Sequence, residues 1–444
     1  MPGAEGPTVL SDLSASVGSS RVDRALDGAM RALQTNVPTA DLIRAAACGA
    51  ALHYDPSLDR APAGLLALAA AANLQGVLQA RFRPLPILQA IALAASEKKA
   101  AAPARPPMAL RGEITHLGRS FHLAARDGNL PEAEAVFLGI VDERAERRMA
   151  GQILFRAAVE DMGHGGLKLV VAVKLWQLAG ALGFRDARTI LRPAVQFCVA
   201  GARDSSAYRD VMAVLGRELV DLGGLSIGGR PLDDAGRIKV SGSLASAVPS
   251  DCAAAVLELL RDGYAATALG DALSVEAAKR VLAARGYDRD AAHGLLFAHA
   301  AQFVLRFTRT PERLYALFQT ALRLRSASPR FDLHSTPEAP GEGEELCAIA
   351  GDLEARRSEA AVSRTSSYAN RGFSATRLAD VLGNYASRDS ALVTDGLNLV
   401  LADACAGEYL ATRAPEPAMA LAKMIAASPA DWTAYTSWAP LLAP

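Results

Sequence analysis

Apolar residues recur along most of this 444-residue chain at steps of three and four, the spacing that lines one face of a helix. The pattern predicts helices over residues 21–35, 39–52, 63–80 and 86–96, then over 110–127, 131–141, 144–162, 166–183, 187–202 and 206–222. It resumes over 252–262, 263–273, 274–285, 290–307 and 311–326, and again over 346–363, 374–385, 389–412 and 417–428. The start at 311 is sharply marked: Thr310 can cap, Pro311 suits the first helical position and Glu312 the first turn. Alternating runs rich in Val, Ile, Thr and aromatics, the signature of strands, are nearly absent. The fold class read from this pattern is all-α, a large multi-helix bundle or array with long Gly/Pro-rich loops and at most a short hairpin at 237–240. No fixed period with a known repeat signature appears, which argues against a regular solenoid.

Breaks in the pattern divide the chain. Residues 1–20 are small, polar and acidic and are expected to be disordered; they lack the basic and apolar regions of a signal peptide. A helical subdomain over 21–98 is followed by an Ala/Pro linker at 99–109, where repeated prolines forbid a helix. A central helical domain over 110–326 contains a Gly/Ser/Asp-rich loop at 223–250. A Pro/Gly/Glu-rich loop at 327–345 then leads into a C-terminal helical region over 346–444. Near its end Trp432, Tyr435 and Trp438 read as a docked cap rather than a ligand cage.

Composition sharpens the fold class and removes some partners. The chain is 51% hydrophobic but only 5% aromatic, so its apolar content is mostly alanine and aliphatic side chains, which favour helices. Forty-seven basic residues balance forty-seven acidic ones, which removes the electrostatic case for nucleic acid or an anionic membrane as a partner. The apolar stretches at 65–78 and 167–184 are broken by Asn73, Gln75, Lys168 and Lys174, and neither has the length of a membrane span. Cys48, Cys198, Cys252, Cys347 and Cys405 are odd in number and form no CxxC pair, which fits a reducing cytoplasm.

The chemistry must come from few groups. Seven histidines are present: His53, His116, His122, His164, His293, His299 and His334. His293 and His299 lie six residues apart on one helix, so their directions differ by about 120° and they flank the apolar stripe through Leu296, Ala300, Phe303 and Phe307. His116 and His122 share that spacing, and neither pair has the i, i+4 placement of a metal-binding helix. Bridging between helices, or packing against a backbone carbonyl, both remain open. His164 stands in Met162-Gly163-His164-Gly165-Gly166 before an apolar helix, where glycine lets backbone N–H groups approach an anion. A flexible helix start is the plainer reading. Lys174 falls about 20° from Leu167 on the wheel, inside an apolar stripe. It must snorkel, pair with a carboxylate such as Asp161 or Glu160, or lose its charge and become an amine nucleophile or base. Glu132 with Glu134, and Glu143 with Glu146, read as solvated faces. No nucleophile elbow, calcium loop or di-iron ExxH pair is present.

Residues 161–202, opening DMGHGGLKLVVAVKLW, resemble the middle of the questin oxidase-like proteins and a related set that often carries a C-terminal Rieske domain. In these a Gly-His-Lys-like start leads into an apolar helix and then an aromatic and leucine-rich second helix. Residues 291–325, containing HGLLFAHAAQFVLRF, resemble a later motif in which a histidine opens a helix before a polar turn and a Leu/Gln-rich helix. Residues 65–95 are more loosely similar, and the resemblance spans 38–325. The chain departs from the pattern. With Trp176 aligned, Leu167-Lys168 stands where the family has His-Lys, and His164 lies three residues early. In the first helix pair the expected histidine falls among Ala61, Pro62, Ala63 and Gly64, and no Rieske pattern occurs.

The resemblance implies a helical oxidoreductase-like scaffold for a small hydrophobic, polyketide-like substrate. Its pocket would lie between the helices starting at Gly166 and Asp290. His293, His299, Trp176, Phe297 and Phe303 would bind substrate, and His164, Lys168 and Lys174 would supply acid/base or anion contacts. His116, His122, His293 and His299 would hold a transition metal if the imidazoles converge. The rival is a non-catalytic helical scaffold or partner subunit, self-associating or bound to another protein, whose histidine site has decayed.

Overall fold

The helices form because alanine and leucine fill their inner faces. A computed structural model of the chain describes residues 5–103, 105–142, 147–325, 331, 333, 339–429 and 431–442. The protein is all-α, about 75% helical, with no strand among the described residues and a single bridge between Arg230 and Tyr264. No helix among these residues is long and apolar enough to cross a membrane. His334, Glu143 and Glu146 lie outside the described residues, as does much of the loop expected at 327–345.

The chain folds into two compact units that do not follow the serial division expected from the sequence. The first comprises Met1–Pro107, Lys174–Ala194 and Leu333–Pro444; the second comprises Met108–Val173 and Val195–Asp332. In the first unit the C-terminal helices return to the N-terminal ones, with Leu397–Thr412 packed on Ala63–Leu74. Within the N-terminal part, small residues let Ala63–Leu74 pack closely on Pro84–Ser96. A Cβ on Gly64 would lie 2.4 Å from the Cα of Ala94, so two backbones touch there. Polar ties complete the joint: Gln79 donates from its backbone and side-chain N–H groups to Asp380 at 2.8 and 2.6 Å. Ala391 donates its backbone N–H to Gln89 at 2.9 Å. The indole of Trp432 donates to the buried carboxylate of Asp389 at 2.9 Å.

Two local expectations are corrected. Residues 5–18 form the helix Glu5–Gly18, not a disordered tail. Leu13 and Val17 are fully buried in the first unit, and Gly49 lets Ser14 approach so closely that a Cβ would sit 2.3 Å from its carbonyl oxygen. Val9, Leu10, Leu13 and Val17 carry a helical stripe diluted by Ser and Gly. The proposed hairpin at 237–240 is instead part of the helix Asp234–Ser243, started by Asp233, whose carboxylate accepts the Gly236 N–H at 2.7 Å. That capping contact satisfies an early helical donor and outweighs the local Gly and Ser content.

The second unit holds the residues that matter most below. Its helices Ile114–Asp127, Arg147–Val159, Arg289–Phe307 and Leu314–Arg323 pack around Phe121, Phe137, Phe155 and Phe297, all buried.

Candidate functional site

Two of the sequence candidates are structural ion pairs. In the second unit Lys168 is fully buried and donates to Asp161 at 2.6 Å and to the carbonyls of Cys198 and Gly201 at 3.1 and 3.4 Å. Asp161 also accepts the backbone N–H groups of Gly163 and Asp204, each at 2.8 Å. All three ammonium donors thus have acceptors. In the first unit Lys174 is 1% exposed and donates to Asp403 at 2.5 Å, while Asn73 donates to the same carboxylate oxygen at 3.0 Å. Pairing is therefore the outcome for Lys174, with Asp403 in place of the expected Asp161 or Glu160. Both lysines hold their helices and are corrected as acid/base candidates, since every ammonium geometry here points into a salt bridge.

His164 sits in a tight start to the helix Leu167–Ala181. It has φ 54°, followed by Gly165 at 66° and Gly166 at 87°, and its ring lies 5.1 Å from that of Phe197. Gly166 is required there: a Cβ would meet Phe297 Cδ2 at 2.5 Å, in a backbone region that side chains rarely adopt. Phe297 is accordingly a core residue wedged against this turn. Trp176 is buried edge-on to Phe184 at 5.3 Å, and half-buried Phe303 stacks on Phe307 at 5.5 Å and packs edge-on to Phe155. These three aromatics fill space between helices rather than line the cavities described below.

The four-histidine metal set is also corrected. Among the described residues no group of three or more His, Cys, Asp or Glu side chains comes together in a way that could hold a metal ion. His116 is exposed at the first turn of its helix, where Glu113 caps the backbone N–H groups of Thr115 and His116, while His122 is half-buried. The separation of about 120° set by six-residue spacing sends each pair apart. His293 and His299 are half-buried on the flanks of Arg289–Phe307, and burial, with Arg289 beside it, lowers the pKa of His293. Where a pocket was expected, between the turn at Gly165 and the helix beginning near Asp290, a cavity of about 390 Å³ does open. Its walls are Asp204, Asp210, Asp290, Arg323 and Arg325, with no imidazole among them.

A different cavity, of about 300 Å³, concentrates the unusual chemistry of the second unit. The helix Ile114–Asp127 contributes Thr115, Gly118, Arg119 and His122; Arg147–Val159 contributes Met149, Gln152, Ile153 and Arg156. Both sets follow i, i+3, i+4, i+7, so each is one helical face. The segment after Arg289–Phe307 supplies Thr308, Glu312 and Arg313. Four of these residues have a buried polar atom with neither a hydrogen-bond nor an ion-pair partner: His122 Nδ1, Gln152 Oε1, Thr308 Oγ1 and Arg313 Nε; Arg156 Nε instead faces Glu160 at 3.5 Å. Buried polar atoms are nearly always hydrogen-bonded, and each one left alone costs about 1–3 kcal/mol. They belong to residues that three chain segments bring around the one cavity.

No family profile, curated protein or solved structure matches this chain.

The electrostatics of the site are positive. Burial, with Arg156 and Arg126 near, pushes the His122 pKa down to about 4, so the imidazole is neutral at pH 7 and offers one donor and one acceptor. Glu312 accepts from Arg156 at 3.5 Å, and Glu160 lies between Arg156 and Arg126, at 3.5 and 2.8 Å. Arg119 and Arg313 have no carboxylate within ion-pair distance among the described residues. His122 also lines a second cavity, of about 440 Å³, with Arg126, Glu160, Asp161, Cys198 and Tyr208. Burial raises the Cys198 thiol to about 12 and so keeps it protonated and unreactive.

Sequence reasoning singled out His122 but missed Gln152, Arg156, Thr308 and Arg313. The local signal is weak: the two cavity-facing helical faces mix Thr115, Arg119 and His122 with Gly118, and Gln152 and Arg156 with Met149 and Ile153.

Proposed function

We propose that this protein binds a small molecule with an apolar body in the cavity between the helices Ile114–Asp127 and Arg147–Val159. The observation that carries this reading is the set of four buried, unpartnered polar atoms on residues that line a cavity of about 300 Å³. Ile153, Val159 and Val304 add apolar surface to the same cavity. Few polar groups converging on a mostly apolar hollow is the usual composition of a small-molecule site. Assignment to a questin oxidase-like protein, with oxidation of a polyketide-like substrate, rests on the resemblance in residues 161–202 and 291–325. For that chemistry the cavity offers one imidazole, His122, positioned to exchange hydrogen bonds with a bound molecule. A non-catalytic scaffold is the second reading, favoured by the structural pairing of Lys168 and Lys174.

Equilibrium dialysis with the bicyclic probes 2-naphthoate and 2-naphthamide tests the binding reading. At least one should bind the wild-type chain. Met149→Trp, at an exposed position on the cavity wall, should block it while leaving the melting temperature unchanged. Binding of neither probe, or undiminished binding to the Trp variant, removes this cavity as the site.

A further inference from the structure

We infer that the ligand of the His122 cavity is an organic anion, an apolar body bearing a carboxylate that sits against Arg313 and Arg119. This rests on the binding reading above and adds the charge of the ligand.

Arg313 is the decisive residue. Its guanidinium is fixed by carbonyls alone: one terminal nitrogen donates to Leu305 at 3.2 Å and Thr308 at 3.5 Å, the other to Ser226 at 3.1 Å. These contacts orient the plane of a side chain that lines the cavity, and they leave the buried Nε without a partner. Burial, with Arg309 as a like charge, lowers its pKa, the direction expected of a cation that lacks a counterion. Arg119 stands on the same wall without an ion pair among the described residues. Arg156 is already shared by Glu312 and Glu160. The wall thus carries three guanidinium groups against the single carboxylate of Glu312.

A neutral molecule could fill the apolar part, but it would leave Arg313 uncompensated. A carboxylate lying against the Arg313 side chain supplies the missing charge. Thr308 and the neutral imidazole of His122 line the same cavity, and each carries one hydrogen-bond donor.

The isosteric probes separate this inference from the one it rests on. In equilibrium dialysis at pH 7, 2-naphthoate should bind at least about tenfold more tightly than 2-naphthamide, the scale of one charge-assisted hydrogen bond. Arg313→Met should erase that preference. Since Arg313 also ties three carbonyls, Arg119→Met is the second variant: Arg119 is exposed, and its replacement should reduce the preference without changing the melting temperature. Equal binding of the two probes to the wild-type chain overturns the anionic class and leaves the binding reading standing. A preference for naphthoate that survives both substitutions overturns the placement at these arginines. Binding of neither probe overturns both inferences.

Discussion

The second unit contains two buried polar centres that share a neighbourhood and differ in one respect: one is complete and the other is not. Around Lys168 and Asp161 each charge meets its opposite, and the remaining capacity is taken up by the Cys198 and Gly201 carbonyls and the Gly163 and Asp204 N–H groups. Around His122 four polar atoms are buried without partners, and two guanidinium groups lack a carboxylate. A centre closed on itself stabilises the fold and offers nothing to a ligand. An open one weakens the fold and can be completed from outside. Burial alone does not distinguish them; a count of satisfied donors and acceptors does.

This contrast has consequences of opposite sign. The largest belongs to the closed centre. Asp161→Ala should cost about 3–5 kcal/mol, because Lys168 is left fully buried without its carboxylate. Urea denaturation reads this directly, and a loss below about 1 kcal/mol would erase the distinction between the centres.

Acid should act through the open centre. The His122 pKa is about 4 in the folded chain against 6.5 for the ordinary imidazole. Between those values the unfolded chain binds the additional proton, so this contribution to stability is full above pH 6.5 and is lost as pH falls through 4. The loss amounts to roughly 3 kcal/mol. His122→Gln should flatten the wild-type curve over that window by this amount. Parallel curves for the two proteins would show that the imidazole is not buried as neutral.

Gly166→Ala tests the frame from which Lys168 projects. A Cβ at φ 87° would press on Phe297, and the expected loss is about 2 kcal/mol, visible as a lower melting temperature. An unchanged melting temperature would mean that the turn relaxes freely. The smallest effect has the reverse sign. Thr308→Val removes a buried hydroxyl without a protein partner and keeps the shape, so stability should hold or rise by up to about 1 kcal/mol. A clear loss would place the hydroxyl in an interaction within the folded chain and shrink the open centre by one member.

Much of the helical layout was legible along the chain, because a three-to-four-residue apolar period survives whatever the helices later touch. The start predicted at Thr310 is present as the turn Pro311–Arg313 leading into Leu314–Arg323, with Pro311 at its first position but without a capping bond from the Thr310 side chain. Breaks inside long apolar runs were harder to see. The run read as one helix over 389–412 is divided where Asp395 and Gly396 take φ 51° and 70°, between Ala391–Thr394 and Leu397–Thr412. The site was legible in fragments. His122 stood out as a rare imidazole, but Arg156 and Arg313 are two arginines among many, and no local spacing sets them apart.

What the sequence by itself determined is the helical class and most of the helical segments, since periodicity and small side chains act locally and need no distant partner. Only the tertiary structure decided which charges are answered and which are left open. Lys174 meets Asp403 across 229 residues of chain, whereas Arg313 meets only carbonyls. Whether a polar group is satisfied depends on the three-dimensional position of its partner within about 3 Å, and no pattern along the chain specifies that distance.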